Sequence, residues 1–387
     1  MTAVAVERPR QGIRLDRWEL GGAFADLGVL VPIAVALIVK NGLSATAVLL
    51  PAGLLYLAAA AVYRLPVPVQ PLKAFGAIAI AQGLGVDEIA AGALAMGSIF
   101  VLLGATGLVD LAARAFPKPL VRGVQLTVGL LFLKIAWGLV AHPPATFDRH
   151  GLDSATLALL ALAVLATLLL RHRLPVALVL VVTAIGVIVA TEGLGEFGPS
   201  AVQLPSLDRA VFWTALTALV LPQLPLSFAN SCLATADAAR TYFGDAARRV
   251  RPGRLATTFG AANLLSGAIG GMPVCHGAGG LTAHYSFGAR TAGAPLVIGT
   301  TLVIVALGFG AGLGTLLAAF PLPILAGLLA GAGLLHIGLL RDLDRGRGLA
   351  LALATGLLGS LTNIAVGLAA GLVVWWGARA LGALLRH

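Results

Sequence analysis

Apolar windows long enough to cross a bilayer follow one another along almost the whole chain. A transmembrane helix needs about 20 predominantly apolar residues. Of the 387 residues, 59% are hydrophobic and only 11% are charged, and the mean hydropathy is +0.97. Soluble domains of this length do not have such a composition. The sequence therefore predicts an all-α polytopic membrane protein.

The predicted spans form two sets of seven. The first set lies near 20–39, 44–63, 68–83, 89–112, 118–140, 154–170 and 174–191. The second set lies near 211–235, 255–271, 274–286, 292–312, 316–338, 347–362 and 364–384. A polar, acidic linker separates the sets and predicts a boundary between units 1–200 and 201–387. Spans three and ten are too short to cross as ordinary helices.

The two halves carry matching motifs at a fixed offset. Ala115–Pro119 precedes span five and Ala319–Pro323 precedes span twelve, an offset of 204 (319 − 115) that holds through Leu334. Pro68 and Pro273 differ by 205 (273 − 68). Agreement between independent motifs predicts an internal repeat. Because each half has an odd number of spans, the second half must run inverted, and the substrate site of such a repeat lies near the midplane.

Basic residues predict the orientation of the chain. With the N-terminus in the cytoplasm, 21 of the 26 basic residues fall in cytoplasmic segments. Lys40, Arg149 and Arg209 fall outside those segments, and Lys73 and Lys134 lie within spans. This asymmetry satisfies the positive-inside rule. It predicts fourteen spans in the cell (inner) membrane with both termini cytoplasmic. The formal net charge of +10 therefore reflects topology, and no nucleic-acid partner is expected.

Two stretches interrupt the apolar spans with prolines or glycines, namely Val67–Ala74 and Met272–Gly279. A helix cannot pass undisturbed through Pro68 and Pro71, because proline lacks the N–H and clashes with the preceding turn. Each stretch predicts extended backbone followed by a half-helix that begins inside the membrane. The start of such a helix has unpaired N–H groups and the positive end of the helix dipole. Both features favour bound anions.

The residues predicted to bind substrate lie at these breaks and on span eight. They are Gln70, Pro71 and Lys73 at the first break, His276, Gly277 and Ala278 at the second, and Gln223, Ser227 and Asn230 on span eight. The last three are spaced i, i+4 and i+7, which places them on one helix face. Interhelical hydrogen bonding is the alternative explanation for that polar face. For Gln70, the alternative is that its amide pairs with backbone groups freed by the prolines.

Three ionisable candidates each have a functional and a structural interpretation. Lys73 either adds its charge to the helix end, or snorkels to the interface or pairs with a carboxylate. His276 either contacts an anion or carries a proton, or else is a hydrogen-bonded structural histidine. Asp26 lies in span one a few residues before Pro32. It is either a proton-coupling carboxylate or a paired group near the interface.

Catalytic chemistry is not expected. The sequence offers no nucleophile–base constellation and no metal-ligand cluster, and its histidines are scattered. Cys232 and Cys275 both fall inside predicted spans, so they indicate neither a disulfide framework nor a zinc site. We therefore expect no enzyme activity, no cofactor and no metal.

Five segments together resemble the molybdate transporter family, a branch of the SulP-type sulfate transporters. They are Phe24–Gly28, Pro66–Lys73, Val121–Leu126, Leu221–Pro225 and Pro273–Gly280. The resemblance covers nearly the whole chain. It implies the fold shared with uracil permeases and SulP proteins. In that fold a core domain comes from spans one to four and eight to eleven, and a gate domain comes from spans five to seven and twelve to fourteen.

The resemblance also implies molybdate as the substrate, with sulfate as a close rival. The resulting hypothesis is a secondary active oxyanion transporter that works by alternating access, with proton coupling through Asp26 or His276. One alternative is transport of a nucleobase or an aromatic carboxylate on the same fold. Another, from a different class, is an anion channel or a scaffold that does not transport. The sequence leaves the oligomeric state open, and a homodimer is one expectation.

Overall fold

A computed structural model of the chain describes residues 13–143, 154–170, 173–193 and 195–384. They are mostly helical. The helices of the first half are α1 (Arg17–Ala23), α2 (Leu27–Val39), α3 (Ala45–Tyr63), α4 (Lys73–Gln82), α5 (Val86–Ala105), α6 (Leu108–Ala113), α7 (Lys118–Ala141), α8 (Ser154–Leu170) and α9 (Val176–Glu192). Those of the second half are α10 (Arg209–Thr214), α11 (Leu221–Leu226), α12 (Thr235–Phe243), α13 (Pro252–Ala268), α14 (Ala278–Ser286), α15 (Gly293–Gly308), α16 (Leu313–Ala318), α17 (Leu322–Ile337), α18 (Arg347–Leu361) and α19 (Ile364–Leu384). The other described elements are two short strands, β1 (Gln70–Pro71) and β2 (Val274–Cys275), two π-helical stretches (Ala215–Val220 and Ser227–Ala234) and two 3-10 helices (Gly244–Arg249 and Gly338–Asp342).

Several of these helices can cross a membrane. By length and composition, five of the described helices qualify, and the bent pair α1–α2 adds a sixth span. Other apolar helices of 10–17 residues accompany them. The protein is therefore a multi-pass membrane protein. Fourteen spans and their inverted arrangement remain predictions, because the shorter helices do not meet the length of an ordinary span.

Span one is predicted as a single window, 20–39, but it is broken near its start. The chain bends by 40° between Ala23 and Leu27, and Pro32 lies farther along, inside α2. At the break, the Gly22 carbonyl accepts hydrogen bonds from the Ala25 N–H at 3.2 Å and from His284 Nδ1 at 2.5 Å. Side chains that bond to the backbone at a helix break make the break tolerable within a membrane protein.

Spans three and ten have the predicted form of extended backbone followed by a short helix. β1 and β2 pair antiparallel, with Gln70 opposite Cys275 and Pro71 opposite Val274. The Asn263 side chain holds β2 in place, because its amide accepts from the Val274 N–H at 2.7 Å and donates to the Val274 carbonyl at 2.9 Å. The two breaks are therefore joined to each other directly.

Span eight is one continuous helical segment that contains two irregular stretches. π-Helical turns over Ala215–Val220 and Ser227–Ala234 flank α11, which contains Pro222 and Pro225. Proline removes an N–H donor from the i→i−4 pattern, and wider π-turns are a common response that often marks functional positions. Span eight therefore departs from regular α-helical geometry on both sides of its two prolines.

The most extensive helix contacts pair elements of the first half with elements of the second. They are α5 with α13, α3 with α15, α7 with α17 and α7 with α18. Small residues allow the backbones to approach closely, as is usual between membrane helices. In the α7–α17 pair, a Cβ at Gly129 would lie 3.0 Å from the Gly333 carbonyl oxygen, and one at Gly333 would lie 2.9 Å from the Gly129 oxygen.

Two span boundaries differ from the windows in the sequence. The predicted spans 292–312 and 316–338 nearly adjoin, whereas the structure places the separate helix α16 between α15 and α17. α17 begins at Leu322, because Pro321 occupies its N-cap position and Pro323 its first turn, where a missing N–H is harmless.

Candidate functional site

The two half-helices begin on either side of the paired strands. α4 begins at Lys73, two residues after β1 ends, and α14 begins at Ala278 behind the N-cap Gly277. Because β1 and β2 run antiparallel, the two helices leave the strand pair in opposite directions, and both direct their positive N-terminal ends toward it. All predicted site residues at the two breaks are buried.

Several backbone amides at these two helix starts have no hydrogen-bond acceptor within the described ranges. One donor of α4 is occupied, because the Phe75 N–H donates to Gln223 Oε1 at 2.9 Å. The amides without an acceptor are those of Lys73, Ala74, Ala278, Gly279 and Gly280. Buried N–H groups are normally paired. Two clusters of free donors facing one region therefore make a site that suits an anion with several oxygens.

Asp26, Gln70 and Lys73 form a linear hydrogen-bonded chain beside these amides. Lys73 Nζ donates to Gln70 Oε1 at 2.6 Å, and Gln70 Nε2 donates to Asp26 Oδ1 at 2.6 Å. The two contacts fix the orientation of the Gln70 amide and link a buried cation to a buried carboxyl group. Asp26 Oδ2 is buried without a partner among the described residues. The chain thus retains one free acceptor close to the half-helix starts.

The glycines of the second break are required by this packing. A Cβ at Gly280 would lie 2.8 Å from Gln70 Nε2 and would clash with Asp26 Oδ2. A Cβ at Gly277 would clash with Gln70 Oε1. These glycines let Gln70 approach the backbone of the second break, and Gln70 occupies the space that a side chain would need.

The polar face of span eight also reaches the first half-helix. Gln223, Ser227 and Asn230 are all buried, and Gln223 Nε2 donates to Ser227 Oγ at 3.0 Å. Gln223 in turn caps α4 through the Phe75 amide, so it acts here as a helix cap between spans. Asn230 Oδ1 has no hydrogen-bond partner among the described residues, so no hydrogen bond of this oxygen with Gln70 or Lys73 is found there.

His276 has both ring nitrogens in internal contacts. Nδ1 lies 2.8 Å from the Pro68 carbonyl oxygen, and Nε2 lies 2.8 Å from Thr258 Oγ1. Tyr63 packs edge-on against the ring at 5.5 Å and also contacts Thr258. These contacts favour the structural interpretation of His276, in which it satisfies a carbonyl freed by the proline break.

A buried ion-pair network was missed by the sequence analysis. Arg122 was counted as a cytoplasmic residue of the positive-inside pattern, but its side chain is 1% exposed within α7. Its guanidinium pairs with the carboxylates of Asp237 and Asp342, and Lys118 Nζ also contacts Asp342 at 3.1 Å. Gln125 Nε2 donates to Asp237 at 3.1 Å. The one sign of it in the sequence was that Val121–Leu126 is among the five segments that carry the family resemblance.

Two further buried ionisable residues were also missed. Glu19 accepts hydrogen bonds from the amides of Thr291 at 2.8 Å and Ala294 at 3.1 Å, and so caps α15. His336 lies in α17 with Nδ1 2.6 Å from Thr282 Oγ1 of α14, and its Nε2 has no partner among the described residues. An ionisable residue inside an apolar window is itself a signal, and this signal could have identified His336.

Comparison with known families gives one model that matches most of the chain. The model is described as the molybdate transporter of the MFS superfamily, and it matches residues 18–132 and 215–335. Those ranges contain all the residues predicted to bind substrate.

Individual relatives match over nearly their full length. The chain is 30% identical to "Molybdate transporter 1" of Arabidopsis thaliana, over 92% of this chain and 88% of the relative. It is 31% identical to "Molybdate transporter 2" of the same plant, over 82% and 77%. It is 29% identical to "Molybdate transporter 1" of Chlamydomonas reinhardtii, over 95% and 92%.

Solved structures share the fold at low sequence identity. The transmembrane domain of the cyanobacterial bicarbonate transporter BicA superimposes with a TM-score of 0.59 at 17% identity, covering 91% of this chain and 97% of that one. The murine Solute Carrier 26 family member A9 anion transporter, in its inward-facing state, gives 0.65 at 14% identity, covering 96% and 69%. The chain therefore shares the fold of these two structures.

Proposed function

Because the chain belongs to the molybdate transporter family, we propose that it is a secondary active transporter of tetrahedral oxyanions, with molybdate as its first substrate. One observation carries the proposal. Free amides at the starts of α4 and α14 converge on one buried region beside Lys73. A tetrahedral dianion has four acceptor oxygens, which allows it to accept from both helix starts at once.

The inverted repeat is part of this proposal, and pairs of equivalent residues support it. Gln70 faces Cys275 in the strand pair, 205 positions later, and Gly129 faces Gly333, 204 positions later. These are the two offsets found in the sequence. When a residue faces its own counterpart, a local two-fold axis passes between them. One such contact lies between the breaks and the other lies between α7 and α17.

The packing of the helices supports the same symmetry. In the proposed repeat, α5 corresponds to α15 and α13 corresponds to α3, so exchanging the two halves converts the pair α5–α13 into α15–α3. In the same way, α18 corresponds to α8 and α7 to α17, so the pair α18–α7 becomes α8–α17. All four pairs make extensive contacts. We therefore propose two seven-span units, 1–200 and 201–387, in which spans one to four and eight to eleven form a core and the remaining spans form a gate. The protein then lies in the inner membrane of the cell, and both of its termini lie in the cytoplasm.

In this scheme transport follows from movement of the core against the gate. The core holds the half-helices, and the gate presents α7 and α17 to them. The Arg122–Asp237 ion pair joins a gate helix to a core helix, so the movement must break or reorganise it. A dianion entering a negative-inside cell works against roughly 2.3 kcal/mol per charge per 100 mV. Accumulation therefore needs a coupled cation or an exchanged anion.

Asp26 is the proposed coupling residue. Its carboxyl group is buried, receives one hydrogen bond from Gln70 and leaves the second oxygen unpartnered among the described residues. A proton on that oxygen would neutralise the carboxyl group, which is linked to Lys73 through the Gln70 side-chain amide. Substrate binding and protonation are linked in this arrangement, because both change the net charge around Gln70. The contacts of His276 make it the weaker candidate.

Counterflow in proteoliposomes tests the proposal. Vesicles loaded with molybdate should take up labelled molybdate faster than empty vesicles, because a carrier exchanges substrate across the membrane. Excess sulfate should compete, and uracil should not. Uptake that is independent of internal substrate would indicate a channel. Competition by uracil would indicate a nucleobase transporter, and failure of any anion to accelerate uptake would refute the proposal.

A further inference from the structure

One aromatic side chain of α7 contacts both half-helix starts. Phe132 is completely buried, and the Lys73 ammonium lies over its ring at 5.7 Å from the centroid. A Cβ at Gly279 would lie 2.6 Å from Phe132 Cε2. Lys73 is the first residue of α4 and Gly279 is the second residue of α14. The ring therefore covers the region on which the free amides converge.

The ring is held in this position from behind. A Cβ at Gly333 of α17 would lie 3.0 Å from Phe132 Cβ, so α17 packs directly against the base of the side chain. The glycine at 279 is also explained, because the ring fills the space that any larger side chain would need. The Phe132 side chain thus forms a wall that packs against α17 through its Cβ and against the start of α14 through its ring atoms.

The ring makes a favourable contact with the cation at the start of α4. The face of an aromatic ring is electron-rich, and the Lys73 ammonium lies over it. Phe132 therefore contacts the Lys73 cation and, through Cζ and Cε2, the start of α14.

We propose that Phe132 is a specificity-determining residue that selects oxyanions by size, an inference that rests on the proposed function. Molybdate and sulfate have the same charge and the same tetrahedral shape, and molybdate is the larger. Amide donors and Lys73 therefore discriminate poorly between them. A hydrocarbon wall makes no hydrogen bond, and its position limits how large an anion can reach both helix starts.

The test compares the relative affinities of purified variants for molybdate and sulfate. In Phe132→Leu the wall recedes, so the smaller sulfate loses more contact than molybdate does. The ratio of the sulfate Kd to the molybdate Kd should rise by roughly tenfold, at the lower end of size discrimination by apolar walls. In Phe132→Trp the wall advances and the ratio should fall. A ratio is unaffected by the fraction of protein that is active, so partial misfolding does not mimic the result.

Phe100→Leu is the matched control. Phe100 is also buried and packs against Phe259 at 4.7 Å between α5 and α13, and no cation contact of its ring with Lys73 is found among the described residues. Its ratio should equal that of the wild type. An unchanged ratio in Phe132→Leu, or an equal shift in Phe100→Leu, would overturn the assignment of Phe132 while leaving the proposed function intact. Wild-type protein that binds neither anion would overturn both.

Discussion

Lys73 and Asp26 are opposite charges joined through a single amide. Gln70 accepts from the Lys73 ammonium at 2.6 Å and donates to the Asp26 carboxylate at 2.6 Å. A buried charge is stable only when it is paired and hydrogen-bonded. The amide therefore couples the cation at a half-helix start to the proposed proton site. A change in the charge of Asp26 should therefore alter the hydrogen bond between Gln70 and Lys73, and a change at Lys73 should alter the bond to Asp26.

Removal of that amide should weaken molybdate binding. Gln70→Ala eliminates both hydrogen bonds, and bonds to charged groups contribute about 1.5–3 kcal/mol each. Lys73 and Asp26 would then be free to move, and we expect molybdate affinity to fall by about tenfold or more. A binding titration on monodisperse protein measures this. Gln203→Ala is the control, because Gln203 is exposed in the linker between the two halves. Wild-type affinity in Gln70→Ala would remove Gln70 from the site.

Asp26→Asn should separate coupling from exchange. The amide keeps the size of the carboxyl group and can still contact Gln70, but it cannot take up a proton. We expect an inward proton gradient to stimulate molybdate uptake by the wild type and to have no effect on the variant. Counterflow exchange should persist, because it needs no net charge movement. A variant that still accumulates molybdate in response to the gradient would show that Asp26 is structural.

The Arg122 network should contribute strongly to stability. Arg122→Ala leaves two carboxylates without their shared cation. Breaking a buried ion pair costs about 3–5 kcal/mol, and we expect about 3 kcal/mol because Asp237 and Asp342 are 27% and 34% exposed. Lys118→Ala is the control, because it contacts the same Asp342 from a side chain that is 52% exposed. An exposed pair contributes about 0–1 kcal/mol.

Thermal unfolding in detergent compares the two variants. Arg122→Ala should lower the Tm by several degrees and Lys118→Ala should leave it almost unchanged. Equal, small shifts in the two variants would mean that the buried network contributes nothing beyond a surface ion pair.

The orientation of the chain can be tested with two added cysteines. Asp245→Cys lies in the turn between α12 and α13, and Gln203→Cys lies in the linker between the halves. The native Cys232 and Cys275 are buried, so they give little background. In inverted and right-side-out vesicles, residue 245 should label only from the cytoplasmic side and residue 203 only from the opposite side. The reverse pattern at either position would contradict the proposed fourteen-span topology.

Local chemistry explains why much of the fold was predictable from the sequence. Pro68 and Pro71 cannot continue a helix, and the structure places a strand and a new helix there. Apolar windows gave helix bounds within a few residues for α3, α7, α8 and α19, because a membrane helix needs a long apolar stretch. Contacts between distant elements were less accessible. At the bend around Phe24–Asp26, the Gly22 carbonyl accepts a hydrogen bond from His284, which is more than 250 residues away in the sequence.

In the candidate site, too, local features were predictable from the sequence and contacts between distant elements were not. The sequence located Gln70, Lys73 and the second break, since broken helices carry a local signature. It did not reveal that Gln70 is held between Lys73 and Asp26, or that Gln223 caps α4, because such contacts depend on how spans pack. The burial of Arg122 was not predictable for a related reason, because its partners Asp237 and Asp342 are distant in the sequence.

A binding titration of the purified protein tests the central claim most directly. Isothermal titration would compare molybdate, sulfate and uracil on wild-type protein and on Gln70→Ala. We predict saturable binding of molybdate, weaker binding of sulfate, no binding of uracil, and a molybdate affinity about tenfold lower in the variant. Saturable binding of uracil, or an absence of binding by both oxyanions, would contradict an anion site between the starts of α4 and α14.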